Sequence, residues 1–125
     1  MEALYARLTL RKMNKQLSQL YIHDSLTGLY NRMAYEKLAM PLFHQCMQEN
    51  QPVGIMFVDA DHLKYINDTF GHDMGNLAIS SIASVLRQHC PAESVSIRYG
   101  GDEFVCVIPD YNKQKIQELA HTLLD

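Results

Sequence analysis

The side chains best suited to chemistry in this sequence are two adjacent carboxylates that follow a pair of glycines. They are Asp102 and Glu103, within residues 98–104, which have the sequence RYGGDEF. Two glycines between apolar runs predict the tip of a β-hairpin, and the hairpin needs no carboxylates there for its own stability. Taken alone, such a segment is more often a solvated turn than a site, so its meaning depends on the rest of the chain.

A third carboxylate, Asp59, ends an apolar run over residues 53–58 that we predict to be a buried β-strand. If this strand lies antiparallel to the one after the hairpin, Asp59, Asp102 and Glu103 converge at one edge of the sheet. Three close carboxylates cannot all stay ionised without a cation, and such oxygen ligands suit Mg²⁺ or Mn²⁺. These ions stabilise an in-line attack at phosphorus. For Asp59 alone, capping of the next helix is the simpler interpretation.

Two polar residues after this strand could hold a phosphate. Lys64 and Asn67 lie three positions apart in a short helix predicted over residues 62–69, so they share one face. A lysine at that place could hold a phosphate as a point charge. For a single lysine, a solvated surface position is the more common interpretation.

A glycine-flanked segment follows this short helix. Gly71 and Gly75 bound a predicted tight loop over residues 70–75, and a longer helix is predicted to begin at Asn76. Glycines of this kind indicate a close approach of the backbone to another group. A helix that opens after such a loop is typical of anion or base binding.

Composition limits the classes of protein that fit. The chain has 125 residues, enough for one domain, and its net charge of −3 gives no basic footprint for nucleic acid. Its three widely spaced cysteines indicate reduced thiols of a cytoplasmic protein. No apolar run approaches the ~18 residues of a membrane span, and the polar start does not resemble a signal peptide. We therefore expect neither nucleic acid nor membrane contact from this segment.

Residues 1–22 are predicted to form one helix that precedes the domain over residues 23–125. Apolar positions repeat there at spacings of three and four, which is a coiled-coil seam: Ala3, Ala6, Leu10, Met13, Leu17 and Leu20. The helix either lies on its own domain or pairs with a second copy, and the two alanines make the seam too weak to decide.

The remaining elements predict an α+β, ferredoxin-like (βαββαβ-type) sandwich. A helix is expected to about residue 50 with a kink or restart at Pro41, and a long helix over residues 76–89 with Leu77 and Val85 among its inward positions. The strand after the hairpin is apolar throughout and should be central. A final helix starts near residue 113, and the last strand of the pattern is absent.

Three segments together resemble the GGDEF domain, the catalytic domain of diguanylate cyclases. They are residues 24–32 (DSLTGLYNR), residues 59–72 (DADHLKYINDTFGH) and residues 98–104. The resemblance covers residues 23–125 and implies the nucleotide-cyclase and polymerase-palm fold. It also implies that residues 1–22 are a signalling helix through which an upstream sensor sets the geometry of a homodimer.

The resemblance implies a magnesium-dependent reaction in which two GTP molecules, one on each of two facing domains, become cyclic di-GMP and pyrophosphate. Asp59, Asp102 and the Ala60 carbonyl match metal ligands, and Asp102 also matches a proposed proton acceptor. The other implied site residues are the catalytic Glu103 and Lys64 and the substrate-binding Asn67, His72, Asn76, Gly100 and Gly101.

The sequence departs from the family pattern in three places. Asn76 replaces the usual aspartate that accepts both donors on the guanine edge, and asparagine can pair with adenine instead. Residues 91–94 (PAES) replace the Arg-x-x-Asp of the usual inhibitory site, so we expect no product inhibition there. The pattern also continues beyond residue 125, which predicts an open edge on the first strand, covered either by further residues or by a strand from a partner.

These departures leave alternatives to the cyclase open. The domain could be a catalytically inactive GTP-binding module with a regulatory role, or a cyclase of relaxed purine specificity. The sequence leaves undecided whether this chain alone is active, which signal is sensed, what the oligomeric state is, and whether the protein is wholly cytoplasmic or the cytosolic part of a membrane-anchored one.

Overall fold

The computed structural model describes residues 2–124, except for the side chains of residues 18–20. Five α-helices, one π-helical segment and three strands are present in this range. In chain order they are α1 (Glu2–Ile22), a π-helical segment (Tyr35–Ala39), α2 (Met40–Gln48), β1 (Val53–Asp59), α3 (Leu63–Phe70), α4 (His72–His89), β2 (Val95–Arg98), β3 (Glu103–Pro109) and α5 (Lys113–Leu124).

The three strands form one antiparallel sheet in the order β1-β3-β2. Every residue from Phe104 to Ile108 in β3 is buried, which confirms the prediction that this apolar strand is central. Val53 of β1 pairs with Pro109, and the register continues to Asp59 opposite Glu103. The first strand and the hairpin are therefore the antiparallel neighbours that the carboxylate argument required.

Helices cover both faces of the sheet, as a sandwich requires. One face packs residues such as Met56, Phe104 and Ile108 against α4 and α5. The other face packs Ile97 and Val107 against the π-helical segment and α2. The α+β sandwich predicted from the order of elements is confirmed.

The expectation that β1 is a buried strand holds for one face only. Ile55 is 44% exposed and Phe57 is 78% exposed, whereas Gly54 and Met56 on the opposite face are buried. Within residues 2–124, β1 has a strand neighbour on one side only. An apolar run cannot distinguish a central strand from an edge strand with one uncovered face, because both lack the polar alternation that marks a solvated face.

The predicted loop over residues 70–75 is also wrong, because helix α4 begins at His72 instead of Asn76. Only Gly71 separates α3 from α4, with a φ of +94° that favours glycine. Gly75 lies inside α4 and is buried, and a Cβ built on it would fall on the side-chain oxygen of Asn67. Gly75 therefore serves the close approach of α3 and α4.

The apolar pattern of α4 predicted its buried residues only in part. Ile79, Ala83 and Leu86 are almost fully buried, but Leu77 is 57% exposed and Val85 is also exposed. Helix α4 packs on the sheet through one stripe, so apolar residues outside that stripe remain in solvent.

The restart predicted at Pro41 is confirmed, and the structure supplies its form. The π-helical segment ends where α2 begins, and the amide of Met40 donates to the carbonyl of Tyr35. Pro41 then occupies the first turn of α2, and because proline has no N–H it cannot continue the hydrogen bonding of the π-helical segment.

Helix α1 does not lie on its own domain. All side chains from residue 2 to residue 17 are exposed, including Leu10, Met13 and Leu17 of the predicted seam, so the interpretation of a helix folded back on the domain is wrong. None of the helices in residues 2–124 combines the length and the apolar character that a membrane crossing requires.

Candidate active site

The end of β1 and the start of β3 bring two of the sequence signatures together. Asp59 and Glu103 are paired residues in the antiparallel register, so their side chains leave the same face of the sheet. One residue further on, the Ala60 amide donates a 2.8 Å hydrogen bond to the carbonyl of Asp102. The main chains that carry Asp59, Asp102 and Glu103 therefore meet at one edge, as the sequence predicted.

The hairpin between β2 and β3 does not need its two glycines for its own shape. The amides of Tyr99 and Gly100 close the turn on the Glu103 carbonyl at 2.8 and 3.2 Å. Neither Gly100 nor Gly101 is among the residues with a positive φ, and a Cβ built on Gly101 would meet nothing within 4 Å. Side chains would fit here, so the absence of a Cβ keeps the surface beside Asp102 open to close approach by a ligand.

The carboxylates at this edge offer a partial metal-binding set. In the part of the chain that the structure describes, no three His, Cys, Asp or Glu side chains form a group placed to hold a metal, so the expected three-carboxylate cluster is not assembled. Asp59 and Asp102 with the Ala60 carbonyl are nevertheless hard oxygen donors on adjoining segments. Mg²⁺ is commonly held by one or two carboxylates and completes its shell with substrate phosphates and water, so these residues fit the ion.

The residues predicted to contact a nucleotide surround the junction of α3 and α4. Lys64 stands exposed in the first turn of α3, and His72 and Asn76 are exposed in the first turns of α4. Asn67 is partly buried between the two helices, where its side-chain oxygen lies against Gly75. All four lie on the elements that directly follow Asp59, so a ligand could reach them and the carboxylates together.

Two cavities flank Asp59, one on each face of the sheet. The first has a volume of about 340 Å³ and is lined by Phe57, Asp59, Tyr99 and Glu103 among others. The second, of about 290 Å³, is lined by Asp59, Ala60, Asp61 and residues of α4. Neither includes Lys64, Asn67, His72 or Asn76, which therefore line an open surface rather than one of these cavities.

An ion pair between Arg98 and Asp24, which the sequence did not predict, connects the hairpin to the segment after α1. Arg98 donates to Asp24 at 3.3 Å, and its other terminal nitrogen donates to the Gly101 carbonyl at 2.9 Å. Asp24 lies two residues after the end of α1. Its carboxylate also accepts 2.8 Å hydrogen bonds from the amide and the hydroxyl of Thr27. This network links the segment after α1 to the loop that carries Asp102.

The network lowers the pKa of Asp24 below its ordinary value of 3.8. Burial by itself raises that pKa, but the hydrogen bonds from Thr27 and the positive charge of Arg98 together outweigh it. Folding therefore favours the ionised carboxylate, and the ion pair stabilises the folded domain wherever Asp24 is ionised.

The contribution of Asp24 to stability should disappear in acid. Because its folded-state pKa is depressed, the contribution is complete above the ordinary value and is lost as the pH falls through the folded-state pKa. Urea unfolding of the original chain and of Asp24→Asn at a series of pH values measures it. We expect the variant to be less stable at neutral pH and the gap to close in acid; a gap that does not change with pH would contradict this assignment.

Aromatic residues beside the hairpin were also missed. Tyr99 contacts Tyr35 edge to face, with ring centroids 5.6 Å apart, and the Arg32 guanidinium lies 4.7 Å from the centre of the Tyr99 ring. These contacts anchor the hairpin to the π-helical segment. An aromatic residue next to the glycine pair was the only local signal for them, and it does not identify the partners.

Comparison with known proteins assigns a family to this fold and site. Residues 21–125 match the family described as "Diguanylate cyclase, GGDEF domain". The bifunctional diguanylate cyclase/cyclic di-GMP phosphodiesterase MucR of Pseudomonas aeruginosa is 33% identical over 116 residues, which are 93% of this chain and 17% of MucR. The diguanylate cyclase VdcA of Vibrio cholerae is 32% identical over 121 residues, which are 94% of this chain and 34% of VdcA. The chain thus spans between 17% and 34% of the length of these relatives.

A solved structure shares the fold over nearly the whole chain. The coiled coil and GGDEF domain of DgcB from Caulobacter crescentus, crystallised in complex with c-di-GMP, superposes with a TM-score of 0.88 and 24% identity. The similarity covers 98% of this chain and 64% of that one. The fold therefore matches through helix α1 as well as the domain, and the chain belongs to the diguanylate cyclase GGDEF domain family.

Proposed function

We propose that this chain is the catalytic domain of a diguanylate cyclase that condenses two GTP molecules into cyclic di-GMP and pyrophosphate. The observation that carries the proposal is the pairing of Asp59 with Glu103, together with the hydrogen bond from Ala60 to Asp102. This arrangement places acidic groups from two motifs at one edge, next to a glycine pair that the turn itself does not require.

Each acidic residue has a separate role in the proposal. Asp59, Asp102 and the Ala60 carbonyl would hold Mg²⁺ or Mn²⁺, and the bound ion would neutralise charge on the reacting phosphate. Asp102 would accept the proton of the attacking 3′-hydroxyl, as a carboxylate within hydrogen-bond reach can. Glu103 supports this edge, because its carbonyl closes the turn and its side chain lies within 3.7 Å of the space beside Gly100.

The polar residues of α3 and α4 would bind the nucleotide. Lys64 would place its ammonium on the phosphates as a point charge. Asn67, His72 and Asn76 would contact the base and sugar from the junction of the two helices, and Gly100 and Gly101 would let the backbone approach the substrate closely.

The reaction needs two half-sites that face each other, so we propose a homodimer. Each copy would bring one GTP, and the 3′-hydroxyl of each would attack the α-phosphate of the other. Helix α1 fits this role because Leu10, Met13 and Leu17 of its apolar seam are exposed and could pair with the same helix of a second copy; the side chain of Leu20, the last seam position, lies outside the described residues. An upstream sensor could then set the dimer geometry through α1.

Product analysis by mass spectrometry tests the proposal. The chain is incubated with Mg²⁺ and equimolar GTP and ATP, with an Asp102→Ala variant beside it. A cyclic dinucleotide that is absent with the variant supports the cyclase. GTP binding without any product supports the inactive regulatory module instead, and the absence of both product and binding contradicts both functions.

The exposed Asn76 favours one variation, a cyclase of relaxed purine specificity. An aspartate can accept both donors of the guanine edge, whereas asparagine has a single acceptor and presents an NH₂ donor to a second donor. The ratio of guanine to adenine in the product of the same experiment measures how far specificity is relaxed.

The contact between Asn67 and Gly75 gives a prediction for nucleotide binding. In Gly75→Ala, the new Cβ displaces the Asn67 side chain, while the better helix propensity of alanine offsets part of the cost, by about 1 kcal/mol. We expect unfolding free energy to change by less than about 1 kcal/mol and the Kd for GTP, measured by calorimetry, to rise about tenfold.

A double-mutant cycle separates this effect from a general disturbance of the helices. In a chain that already carries Asn67→Ala, the Gly75→Ala change should no longer weaken GTP binding, because the side chain that it displaces is gone. An unchanged penalty in that background would show that Gly75 acts by some route other than Asn67.

A further inference from the structure

Two cysteines, Cys90 and Cys106, lie where the end of α4 packs on the centre of the sheet. Cys106 lies in β3, is fully buried and is paired with Ser96 of β2 in the register. Cys90 directly follows α4 and packs against the core cluster that contains Cys106. All three cysteines of the chain are free thiols, so this is a dithiol, with a serine hydroxyl beside it.

Only one of the two thiols can be reached from solvent. Cys90 is partly exposed and lines an open cavity of about 230 Å³. Cys106 has no exposed surface and is not among the residues that line this cavity. A small reagent can therefore enter the cavity and react with Cys90, whereas Cys106 is shielded from it.

The contact between the thiols favours reaction at Cys90. Hydrogen bonding with Cys106 lowers the pKa of Cys90 to about 7, against an opposing effect of burial and with further help from Ser96. The same contact, followed by burial, raises the pKa of Cys106 above its ordinary value. Arg87 also lines the cavity and brings positive charge near Cys90, which favours a thiolate there.

We propose that Cys90 and Cys106 are an oxidation site, in which Cys90 reacts with a low-molecular-weight disulfide and Cys106 then closes an intramolecular disulfide. With glutathione disulfide as the oxidant, the Cys90 thiolate attacks one sulfur, and one glutathione thiolate leaves. Cys106 then loses its proton and attacks the Cys90 sulfur, and the second glutathione leaves. The two cysteines lose two electrons and two protons, and the oxidant is reduced to two glutathione thiols.

The second step is helped by the first. The contact with Cys90 is the largest cause of the raised pKa of Cys106, and the charge of the neighbouring thiolate adds to it. Once Cys90 is capped as a mixed disulfide, its thiolate is no longer present. Cys106 then loses its proton more readily and can displace the glutathione.

The resulting cross-link would enclose the hairpin of the candidate active site. Residues 91–105 contain all of β2, the turn and the first residues of β3. A disulfide between positions 90 and 106 turns this segment into a closed loop, which restricts its opening. The proposal itself does not rest on the cyclase activity, because both thiols react without any nucleotide.

Mass spectrometry of the intact chain after incubation with glutathione disulfide at neutral pH tests the proposal. We expect the chain to lose two hydrogens without retaining glutathione, and a proteolytic digest to contain a linked peptide joining Cys90 to Cys106. Retention of glutathione on Cys90, a linkage that involves Cys46, or a bond between two chains would overturn it, as would no reaction at all.

Variants identify the order of attack. Cys106→Ser should accumulate the mixed disulfide on Cys90, Cys90→Ser should abolish the reaction, and Cys46→Ser should react like the original chain. Since Cys106 lies in the core, circular dichroism first checks that its variant folds. If it does not fold, the linked peptide of the original chain and the partly exposed Cys90→Ser variant decide the matter: a Cys90→Ser chain that still loses two hydrogens or retains glutathione overturns the proposal.

Discussion

Replacing Asp102 by asparagine is expected to lower the rate of cyclic dinucleotide formation from GTP by about a thousandfold, within the range lost with a positioned acid or base. The substitution keeps the shape of the side chain but removes the carboxylate that we propose as a metal ligand and as the proton acceptor. The fold should be retained, because the structural contact at this position is made by the Asp102 carbonyl, which accepts from Ala60. Steady-state kinetics by product quantification measures the loss.

Asp110→Asn provides the matched control for this change. Asp110 follows β3 at the end opposite Asp102, is exposed, and has a positive φ of 59° that asparagine tolerates. Loss of one carboxylate there should leave the rate within a factor of two. Equal losses in both variants would indicate an effect of net charge, and an unchanged rate in Asp102→Asn would remove Asp102 from the chemistry.

Replacing Asn76 by aspartate is expected to raise the preference for GTP over ATP by about 10- to 100-fold. If residue 76 contacts the base as we propose, the aspartate would accept both donors of the guanine edge. The asparagine leaves one of these donors unpaired, which costs about 1–3 kcal/mol in a closed site. The preference is measured as the ratio of kcat/KM values for the two nucleotides, because that ratio reports differential binding in the transition state.

Asn50→Asp adds the same charge at an exposed position that precedes β1, beyond the end of this strand opposite Asp59, and it should leave the nucleotide preference unchanged. If Asn76→Asp fails to increase discrimination against ATP, Asn76 does not contact the base. The two predictions are independent: Asp102 tests whether the domain is catalytic, and Asn76 tests which nucleotide it prefers.

The sequence alone was enough to predict the order of the helices and strands, and to predict that the segment carrying Asp59 lies beside the one carrying Asp102 and Glu103. The continuous apolar run after the hairpin predicted correctly that β3 is the central strand, but the similar run in β1 belongs to an edge strand with one uncovered face. Once β1 and β3 were taken as antiparallel, the positions of Asp59 and Glu103 followed from strand direction. Three motifs in their correct order were enough to indicate the GGDEF family.

Tertiary structure alone decided the features that depend on packing between distant segments. The ion pair of Asp24 with Arg98 joins residues 74 positions apart, and the contact of Cys90 with Cys106 depends on where α4 ends against β3. The role of Gly75 required the position of Asn67. The spacing of apolar residues shows which face of a helix or strand is apolar. It does not show which residue packs against that face, since this depends on how helices and strands pack in three dimensions.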